Sequence, residues 1–300
     1  MPAPDATGTA ELETLGGITR ACQQALAAAG VETPALDARL LVAAAMGLSA
    51  ADFLARPDRC VSEAERRSID ALIRRRCARE PVSRILGARE FFGRSFALSP
   101  ATLDPRPDSE TLIETALAIA DGEGWRGRPI RILDVGTGSG CLLVTLLAEL
   151  PLATGVGTDV SAEALGTAMS NAVMHGVAER ATFARHDALD GVVGPFDLVV
   201  CNPPYIPSGE IATLAAEVRD YDPLAALDGG ADGLDIYRRI IPELRRVAPC
   251  GWVVLEVGAG QAEAVAKLLL QACGKTRQGE VLHRTDLGGH IRSVAMRIQL

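Results

Sequence analysis

The sequence predicts an α/β protein whose doubly wound, mostly parallel sheet follows a small all-helical N-terminal domain. From Asp108 onward, short apolar runs alternate with helical stretches, which is the pattern of parallel strands joined by crossover helices. Residues 11–80 instead carry helical periodicity and capping signals. Residues 85–103, between these parts, have the composition of a hairpin. We therefore expect a helical domain at 1–84, a hairpin linker at 85–104 and an α/β domain at 105–300.

Three helices are expected in the helical domain. The first runs over residues 15–29. The second begins at Thr33-Pro34, because proline suits the first turn of a helix, and it places Leu36, Leu40 and Ala43 on one face. The third begins at residues 62–65, Ser-Glu-Ala-Glu, a capping box in which each of the two end side chains accepts from the other residue's backbone N–H.

The hairpin and the strands follow from apolar patterning. Phe91, Phe92, Phe96 and Leu98 are interrupted by Gly93, which predicts two short strands joined by a turn. Helices are expected at 141–150 and 162–175, each after a strand. Apolar runs predict strands at 130–135, 153–159, 181–185, 196–201, 252–257, 280–284 and 291–298.

Composition argues against several classes of protein. A net charge of −8 disfavours a protein that binds nucleic-acid phosphates, so we expect no stable nucleic-acid partner. The seven cysteines include no Cys-x-x-Cys pair, which predicts free thiols in a reducing cytoplasm. The four histidines lack ligand spacing, and we expect no metal site. Residues 1–9 lack the layout of a signal peptide, and no apolar stretch approaches the ~20 residues of a membrane span. We expect a cytoplasmic monomer.

A glycine-rich loop follows the first strand of the α/β domain. It consists of Gly136, Thr137, Gly138, Ser139 and Gly140. Glycines permit a sharp turn and a close approach of a ligand, and the helix that follows adds free N–H groups. The spacing lacks the third-glycine offset of the dinucleotide fingerprint. Asp134, just before the loop, is placed to orient it and to meet the amino group of a bound amino-acid moiety.

Acidic residues end the next two strands. Asp159 is placed to accept both hydroxyls of a ribose, and capping of the helix after Ser161 is the alternative. Asp187 follows the third strand and could accept an adenine amino group or stand as a solvated loop acid. We interpret the neighbouring His186 as a bystander. Together these features describe S-adenosylmethionine along the carboxyl edge of the sheet. The expected cofactor contacts are Asp134, Gly136, Thr137, Gly138, Ser139, Gly140, Asp159, Asp187, Ala188 and Asn202.

The most specific motif is Asn202-Pro203-Pro204-Tyr205, directly after the apolar strand at 196–201. The Asn202 side-chain oxygen and the Pro203 carbonyl can each accept one N–H, while the Tyr205 ring covers a flat group. Such a clamp suits methylation of an exocyclic or amide nitrogen. The alternative is an ordinary loop, because Asn-Pro and Pro-Pro are common in turns. We expect Asn202, Pro203 and Tyr205 to be catalytic.

Further stretches make the chain resemble the release-factor glutamine methyltransferases over nearly its whole length. Each stretch alone is a weak pattern, but their order and spacing are specific. They are residues 79–87, 90–93, 105–114, 221–230 and 232–234, Tyr237-Arg238, Leu255-Glu256-Val257-Gly258 with Gln261, and Asp286-Leu287-Gly288-Gly289 with Arg292. The chain departs from the usual family pattern at Arg84, Asp104, Asp108, Ser109 and Ala188. The family often has an aromatic residue where Ala188 stands and threonine where Ser109 stands.

The resemblance implies methylation, with S-adenosylmethionine, of the glutamine side-chain amide nitrogen in the Gly-Gly-Gln motif of class I peptide chain release factors. It implies substrate contacts from the clamp, Pro204 included, and engagement of the factor by the helical domain. We expect Arg106 either to form a lip of the site or to be a solvated residue of a stiff connector. Arginines of the third helix are candidates for meeting an acidic partner surface: Arg66, Arg67, Arg74, Arg75 and Arg76.

Two rival acceptors share the same chemistry. A nucleic-acid base presents a similar planar amino group, but such an enzyme favours a basic groove and stacking aromatics, and this chain is 4% aromatic. A ribosomal-protein glutamine is the closer alternative. A non-catalytic cofactor-binding scaffold would be expected to lose Asn202 or the glycine loop, and both are present.

Overall fold

The computed structural model describes residues 13–274 and 281–299. The chain divides into two compact units, Met1–Leu86 and Gly87–Leu300. The predicted hairpin belongs to the second unit, and the three-part division made from the sequence stays a prediction. The N-terminal stretch for which no signal peptide is predicted lies outside the described residues. Across the described part of the chain, no helix has the length and apolarity needed to traverse a lipid bilayer.

The first unit is all-helical. The third predicted helix starts at the expected capping box, in which Ser62 Oγ accepts from Glu65 N at 3.3 Å and the Glu65 carboxylate accepts from Ser62 N at 2.9 Å. Two short helices of this unit were not predicted from the sequence. The helices are α1 (Leu15–Ala28), α2 (Pro34–Ala45), α3 (Ala50–Ala55), α4 (Glu63–Cys77) and α5 (Val82–Leu86).

Helix α2 buries a different face from the predicted one. Leu36 and Leu40 are 43% and 41% exposed, while Leu41 is fully buried. The buried face carries Ala38, Leu41 and Val42, an apolar set with the i, i+3, i+4 spacing of a helix face. Asp37 lies on the same side of α2 and pairs with Arg76 of α4 at 2.7 Å, with both side chains about 7% exposed, so its buried charge is compensated. Arg76 is therefore an internal residue, and its predicted role at a partner surface is wrong.

The second unit opens with the predicted hairpin. Strands β1 (Ala88–Phe91) and β2 (Arg94–Ala97) pair antiparallel. Phe92 and Gly93 join them with φ values of 50° and 70°. Two consecutive residues of positive φ suit a two-residue hairpin turn, because this geometry matches the twist of the strands.

A seven-stranded sheet forms the centre of the second unit. Its strands are β3 (Arg131–Val135), β4 (Thr154–Asp159), β5 (Ala181–Arg185), β6 (Leu198–Cys201), β7 (Trp252–Glu256), β8 (Leu282–Thr285) and β9 (Ile291–Arg297). The strand order is β5-β4-β3-β6-β7-β9-β8, and β9 runs in the direction opposite to that of the other six strands. This confirms the predicted doubly wound, mostly parallel fold.

Helices cover both faces of this sheet. Alternating side chains of β3 enter opposite cores, since Ile132 packs with α6, α7 and α8 while Leu133 packs with α10, α11 and α12. Strand order reverses between β3 and β6, so a crevice opens at their carboxyl ends. The helices are α6 (Glu110–Gly122), α7 (Cys141–Glu149), α8 (Ala162–Met174), α9 (Ala216–Arg219), α10 (Asp235–Ile240), α11 (Leu244–Val247) and α12 (Ala262–Cys273).

Candidate active site

A cavity of about 410 Å³ lies at the carboxyl edge of the sheet, where the strand order reverses. Most of the predicted site residues line it together, although they come from four different strand ends. They are Gly136, Thr137, Gly138, Ser139, Asp159, Asp187, Ala188, Asn202, Pro203 and Pro204. The other predicted residues, Asp134, Gly140, Tyr205 and Arg106, lie behind or beside this lining and hold parts of it.

Asp134 orients the glycine loop from below. Its Oδ2 accepts from Thr137 Oγ1 at 2.6 Å, and Thr137 N donates to the Thr158 carbonyl at 2.8 Å. Burial raises the pKa of Asp134 to about 7, and the Thr137 hydrogen bond acts in the opposite direction. Asp134 Oδ1 is buried and has no hydrogen-bond partner among the residues that the structure describes. Asp134 is fully buried and does not line the cavity, and the Leu143 backbone N–H also favours its charged form, so the predicted contact with an amino group stays a prediction.

The glycines of the loop are required by backbone geometry and by packing. Gly136, Gly138 and Gly140 have φ values of 70°, 55° and 80°, which lie in a region of backbone conformation that residues other than glycine rarely adopt. A Cβ at Gly140 would come within 3.0 Å of Ala168 Cβ on α8. The third glycine therefore permits close packing of the α7 start against α8, while the first two shape the cavity wall.

Asp159 ties the glycine loop to the end of β4. One carboxylate oxygen accepts from Gly138 N at 3.0 Å, and the other accepts from Ser161 N at 2.9 Å. Helix α8 is capped by Ser161, whose hydroxyl accepts from Ala164 N at 3.1 Å. Asp159 is thus not the side-chain cap of α8. Asp159 also lines the cavity, and its contact with a ribose stays a prediction.

Asp187 and Ala188 form the outer end of the cavity. The Asp187 side chain is 58% exposed and pairs with Arg239 Nη2 of α10 at 2.8 Å. Ala188 has a φ of 52°, so its small side chain is held in a left-handed turn. Because both partners of this ion pair are largely exposed, the pair constrains the Asp187 carboxylate only weakly, and the adenine contact stays a prediction.

The clamp residues are held by partners that the motif itself does not reveal. Asn202 Nδ2 donates to Ser109 Oγ at 3.1 Å, which leaves the amide oxygen for the cavity. The Tyr205 phenol donates to Glu256 Oε1 at 3.2 Å, and its backbone carbonyl accepts from Gln261 Nε2 at 2.9 Å. Ser109, Glu256 and Gln261 lie in the family-like stretches of the sequence, but no local sequence pattern pairs them with the clamp.

Burial dominates the electrostatics around the clamp. It raises the pKa of Glu256 to about 7, while hydrogen bonding from Ser109 and Tyr205 lowers it. Burial likewise raises the pKa of the Tyr205 phenol, so Tyr205 stays neutral. Two thiols at the cavity wall behave similarly: burial raises the pKa of Cys141 to about 12 and that of Cys201 well above its usual value.

Arg106 fastens the segment before α6. Its guanidinium pairs with Asp222, whose carboxylate also accepts from Asp104 N at 3.2 Å. Asp222 is 7% exposed, so this pairing lies largely inside the protein, while the Arg106 side chain is about one-third exposed. Among the described residues, no cluster of His, Cys, Asp or Glu side chains could hold a metal ion.

Comparison with known proteins agrees with this geometry at the level of class. Residues 121–218 match the family model described as Methyltransferase small domain, and residues 18–87 match that described as PrmC N-terminal domain. The hMettl16 catalytic domain in complex with MAT2A 3′UTR hairpin 6 shares the fold, with a TM-score of 0.54 and 19% identity over 73% of this chain and 82% of that one. The fold and the site thus define a methyltransferase of the doubly wound α/β class.

Sequence relatives identify the family within this class. A protein of Bradyrhizobium diazoefficiens named release factor glutamine methyltransferase is 48% identical over 91% of both chains. Proteins of the same name from Rhodospirillum rubrum (51% identity over 81% of this chain and 74% of that one) and Nitratidesulfovibrio vulgaris (42% over 96% of both) match as well. The chain belongs to the release factor glutamine methyltransferase family.

Proposed function

We propose that the protein transfers a methyl group from S-adenosylmethionine to the side-chain amide nitrogen of the glutamine in the Gly-Gly-Gln motif of class I peptide chain release factors. The observation that carries this proposal is the orientation of the Asn202 amide. Because its nitrogen is engaged by Ser109 at 3.1 Å, its oxygen is available to accept an N–H of a planar amide at the cavity wall. The names of the relatives, which specify a release factor glutamine, support this substrate.

The residues of the cavity fit the proposed cofactor. The positive-φ glycines allow a ligand to approach the loop backbone, and Asp134 holds that loop through its hydrogen bond with Thr137. We assign the amino-acid moiety to the loop, the ribose hydroxyls to Asp159, and the adenine to the end formed by Asp187 and Ala188. S-adenosylmethionine supplies a methyl group bonded to a positively charged sulfur, which is already a strong electrophile.

The clamp then has to align and polarise the acceptor. Asn202 Oδ1 and the Pro203 carbonyl accept the two amide hydrogens, which aims the nitrogen lone pair at the methyl carbon. Both oxygens also stabilise the positive charge that develops on nitrogen as the new N–C bond forms and the S–C bond breaks. The Tyr205 ring covers the amide plane. One N–H proton leaves to solvent after transfer, so no general base is needed before it.

The helical unit is proposed to engage the release factor outside the glutamine loop, in the cytoplasm and with the enzyme acting as a monomer. The arginines of α4 differ in their suitability for that contact. Arg66 pairs with Asp70 at 3.1 Å and also with Glu13, and Arg75 pairs with Glu80 at 2.6 Å. Arg67 and Arg74 are exposed and are the better candidates.

The proposal is tested by methyl transfer from labelled S-adenosylmethionine to a purified class I release factor. A factor whose Gly-Gly-Gln glutamine is replaced by alanine serves as the matched control, with duplex DNA, ribosomal RNA and ribosomal protein as parallel acceptors. We expect label on the intact factor only. Label on nucleic acid or ribosomal protein alone would leave the clamp chemistry standing and refute the substrate.

A further inference from the structure

Glu256 ends strand β7 beside the clamp, and the proposed reaction gives it no task. Cys201 of β6 is in register with Leu255 of β7, so the next residues, Asn202 and Glu256, leave adjacent parallel strands side by side. Glu256 is 1% exposed. Burying a carboxyl group this deeply costs free energy unless hydrogen bonds or opposite charges compensate it.

The contacts of Glu256 converge on the two side chains that form the clamp. Oε1 accepts from the Tyr205 phenol at 3.2 Å. The Ser109 hydroxyl oxygen accepts from Asn202 Nδ2 at 3.1 Å, so its O–H remains available as a donor. Ser109 also favours the charged form of the Glu256 carboxyl and lowers its pKa. Oε2 is buried and lacks a hydrogen-bond partner among the residues that the structure describes.

We propose that Glu256 is a positioning residue for methyl transfer, which fixes the Tyr205 ring directly and the Asn202 amide through Ser109. The inference rests on the proposed function, since it concerns how the same clamp is held. The carboxylate also places negative charge behind the clamp, on the side where positive charge develops on the acceptor nitrogen. Glu256 contacts neither substrate nor cofactor in this scheme.

The charge on Glu256 depends on groups from every element around it. Arg292 of β9 favours the charged carboxylate, and Asp108 before α6 opposes it. Arg292 itself pairs with Asp286 at 2.8 Å and with Asp108 at 3.0 Å. Other titratable groups that interact with it are neutral at pH 7 because burial raises the pKa of each: Cys141, Cys201, Tyr205 and Tyr237.

A pH dependence follows from this environment. Burial raises the pKa of Glu256 from 4.5 to about 7, so its charged fraction grows as the pH rises through neutrality. If the Glu256 carboxylate orients Ser109, the rate of methyl transfer rises with the charged fraction of Glu256 and levels off above the pKa of Glu256. Glu256→Gln retains the shape and an acceptor for Tyr205 but carries no charge, and it removes this limb of the profile.

The test compares Glu256→Gln with Glu123→Gln. Glu123 is a matched control because it accepts from Trp252 Nε1 at 3.2 Å at the opposite end of β7, far from the cavity. We expect Glu256→Gln to lower kcat by about 10- to 100-fold, the cost of a misplaced reacting group, with KM for the factor and cofactor affinity nearly unchanged. Glu123→Gln should keep the wild-type kcat and profile. Wild-type kcat and pH profile in Glu256→Gln would overturn the proposal.

Ser109 gives a second test that does not depend on the folding of the Glu256 variant. Ser109→Ala removes the hydroxyl and should slow transfer, whereas Ser109→Thr retains it and should restore the wild-type rate. Equal rates in these two variants would count against the relay from Glu256 to Asn202. A wild-type enzyme that labels no release factor would instead refute the proposed function, so the two failures are distinguishable.

Discussion

The amide of Asn202 has two ends of opposite hydrogen-bonding character, and only one of them suits an amino group. Ser109 engages the nitrogen end at 3.1 Å, so the neighbouring residue, and not the motif alone, decides which end faces the cavity. The motif could be recognised from sequence because its four residues are contiguous. Its supports could not, because Ser109 and Glu256 lie 93 and 51 positions away from their clamp partners.

Replacing Asn202 by alanine tests the clamp at the residue scale. We expect Asn202→Ala to lower the rate of methyl transfer by about 10²- to 10³-fold, the usual cost of removing one preorganised polar group from a reaction centre. Cofactor affinity should change far less, because the glycine loop and Asp159 are untouched. Single-turnover labelling and a cofactor titration measure the two effects separately. Near-wild-type turnover in this variant would contradict the clamp mechanism.

At the scale of elements, strand β4 carries two glycines on one face, and both are packed tightly. A Cβ at Gly155 would come within 2.4 Å of Leu143 Cδ1, and a Cβ at Gly157 within 2.8 Å of Phe183 Cδ1 and 2.9 Å of Thr137 Oγ1. Thr137 is the residue through which Asp134 holds the loop, so the absence of a side chain at Gly157 leaves room for that contact.

Gly157→Ala should therefore disturb both stability and cofactor binding. We expect a loss of about 1–3 kcal/mol in the free energy of unfolding from overpacking, together with weaker cofactor binding as Thr137 is displaced. Gly166→Ala in α8 is the matched control, since nothing lies within 4 Å of the added Cβ. It should stabilise the helix by about 0.5–1 kcal/mol. Denaturant unfolding and cofactor titration of both variants check this, and equal behaviour of the pair would refute it.

Helix α2 carries two apolar stripes, and only one of them is buried. Leu36 and Leu40 are exposed, whereas Ala38, Leu41 and Val42 are buried together with Asp37. The burial of Asp37 could not be predicted from the sequence, because its partner Arg76 lies 39 positions away on α4. The strands were easier to predict, because continuous apolar runs buried on both faces of a parallel sheet have few alternatives.

Arg76→Ala provides a stability test of this element. Removing one partner of a buried ion pair leaves the other charge uncompensated, so we expect a loss of about 3–5 kcal/mol in the free energy of unfolding. Arg74→Ala, at an exposed position of the same helix, should stay within about 0.5 kcal/mol of the wild type. Thermal and denaturant unfolding followed by helical circular dichroism would measure both. A harmless Arg76→Ala would mean that Asp37 does not depend on the pair.

At the scale of the whole molecule, the alternation of strands and helices along the sequence limits the sheet to a short list of doubly wound topologies. The crevice at the reversal of strand order then brings together side chains that are far apart in sequence. The boundaries of the sheet strands and of helices α1, α7 and α8 were predicted to within a few residues, whereas no bounds were predicted for α6 or for α9 to α12. The short helices α3 and α5 were not predicted, because one or two turns carry too little periodicity.

The stability of the whole chain depends on pH, and near neutrality this dependence comes mainly from two buried carboxyl groups, Asp134 and Glu256. Burial raises the pKa of Asp134 from 3.8 and that of Glu256 from 4.5, each to about 7. In that window the folded protein holds protons that the unfolded chain has released, so stability falls as the pH rises from about 4 to about 7 and then levels off.

Asp134→Asn removes one of these titrations. Between pH 5.5 and pH 8 the melting temperature of the variant should fall by a few degrees less than that of the wild type. A change of about 1 kcal/mol in the free energy of unfolding shifts the melting temperature of a domain this size by about 2–4 °C. Melting curves of both proteins at the two pH values, without cofactor, measure the difference. Parallel shifts would show that the Asp134 pKa is not raised in the folded state.

Cys141 and Cys201 line the same cavity as the proposed cofactor site, and a thiolate there would be a far better nucleophile than a glutamine amide. Burial raises the pKa of Cys141 to about 12 and that of Cys201 well above its usual value, so both thiols stay protonated near neutrality. Intact-mass measurement after prolonged incubation with the methyl donor should show no added methyl group on either cysteine. Burial of these sulfur atoms thus protects the enzyme from methylating its own cysteines in preference to the less reactive glutamine amide.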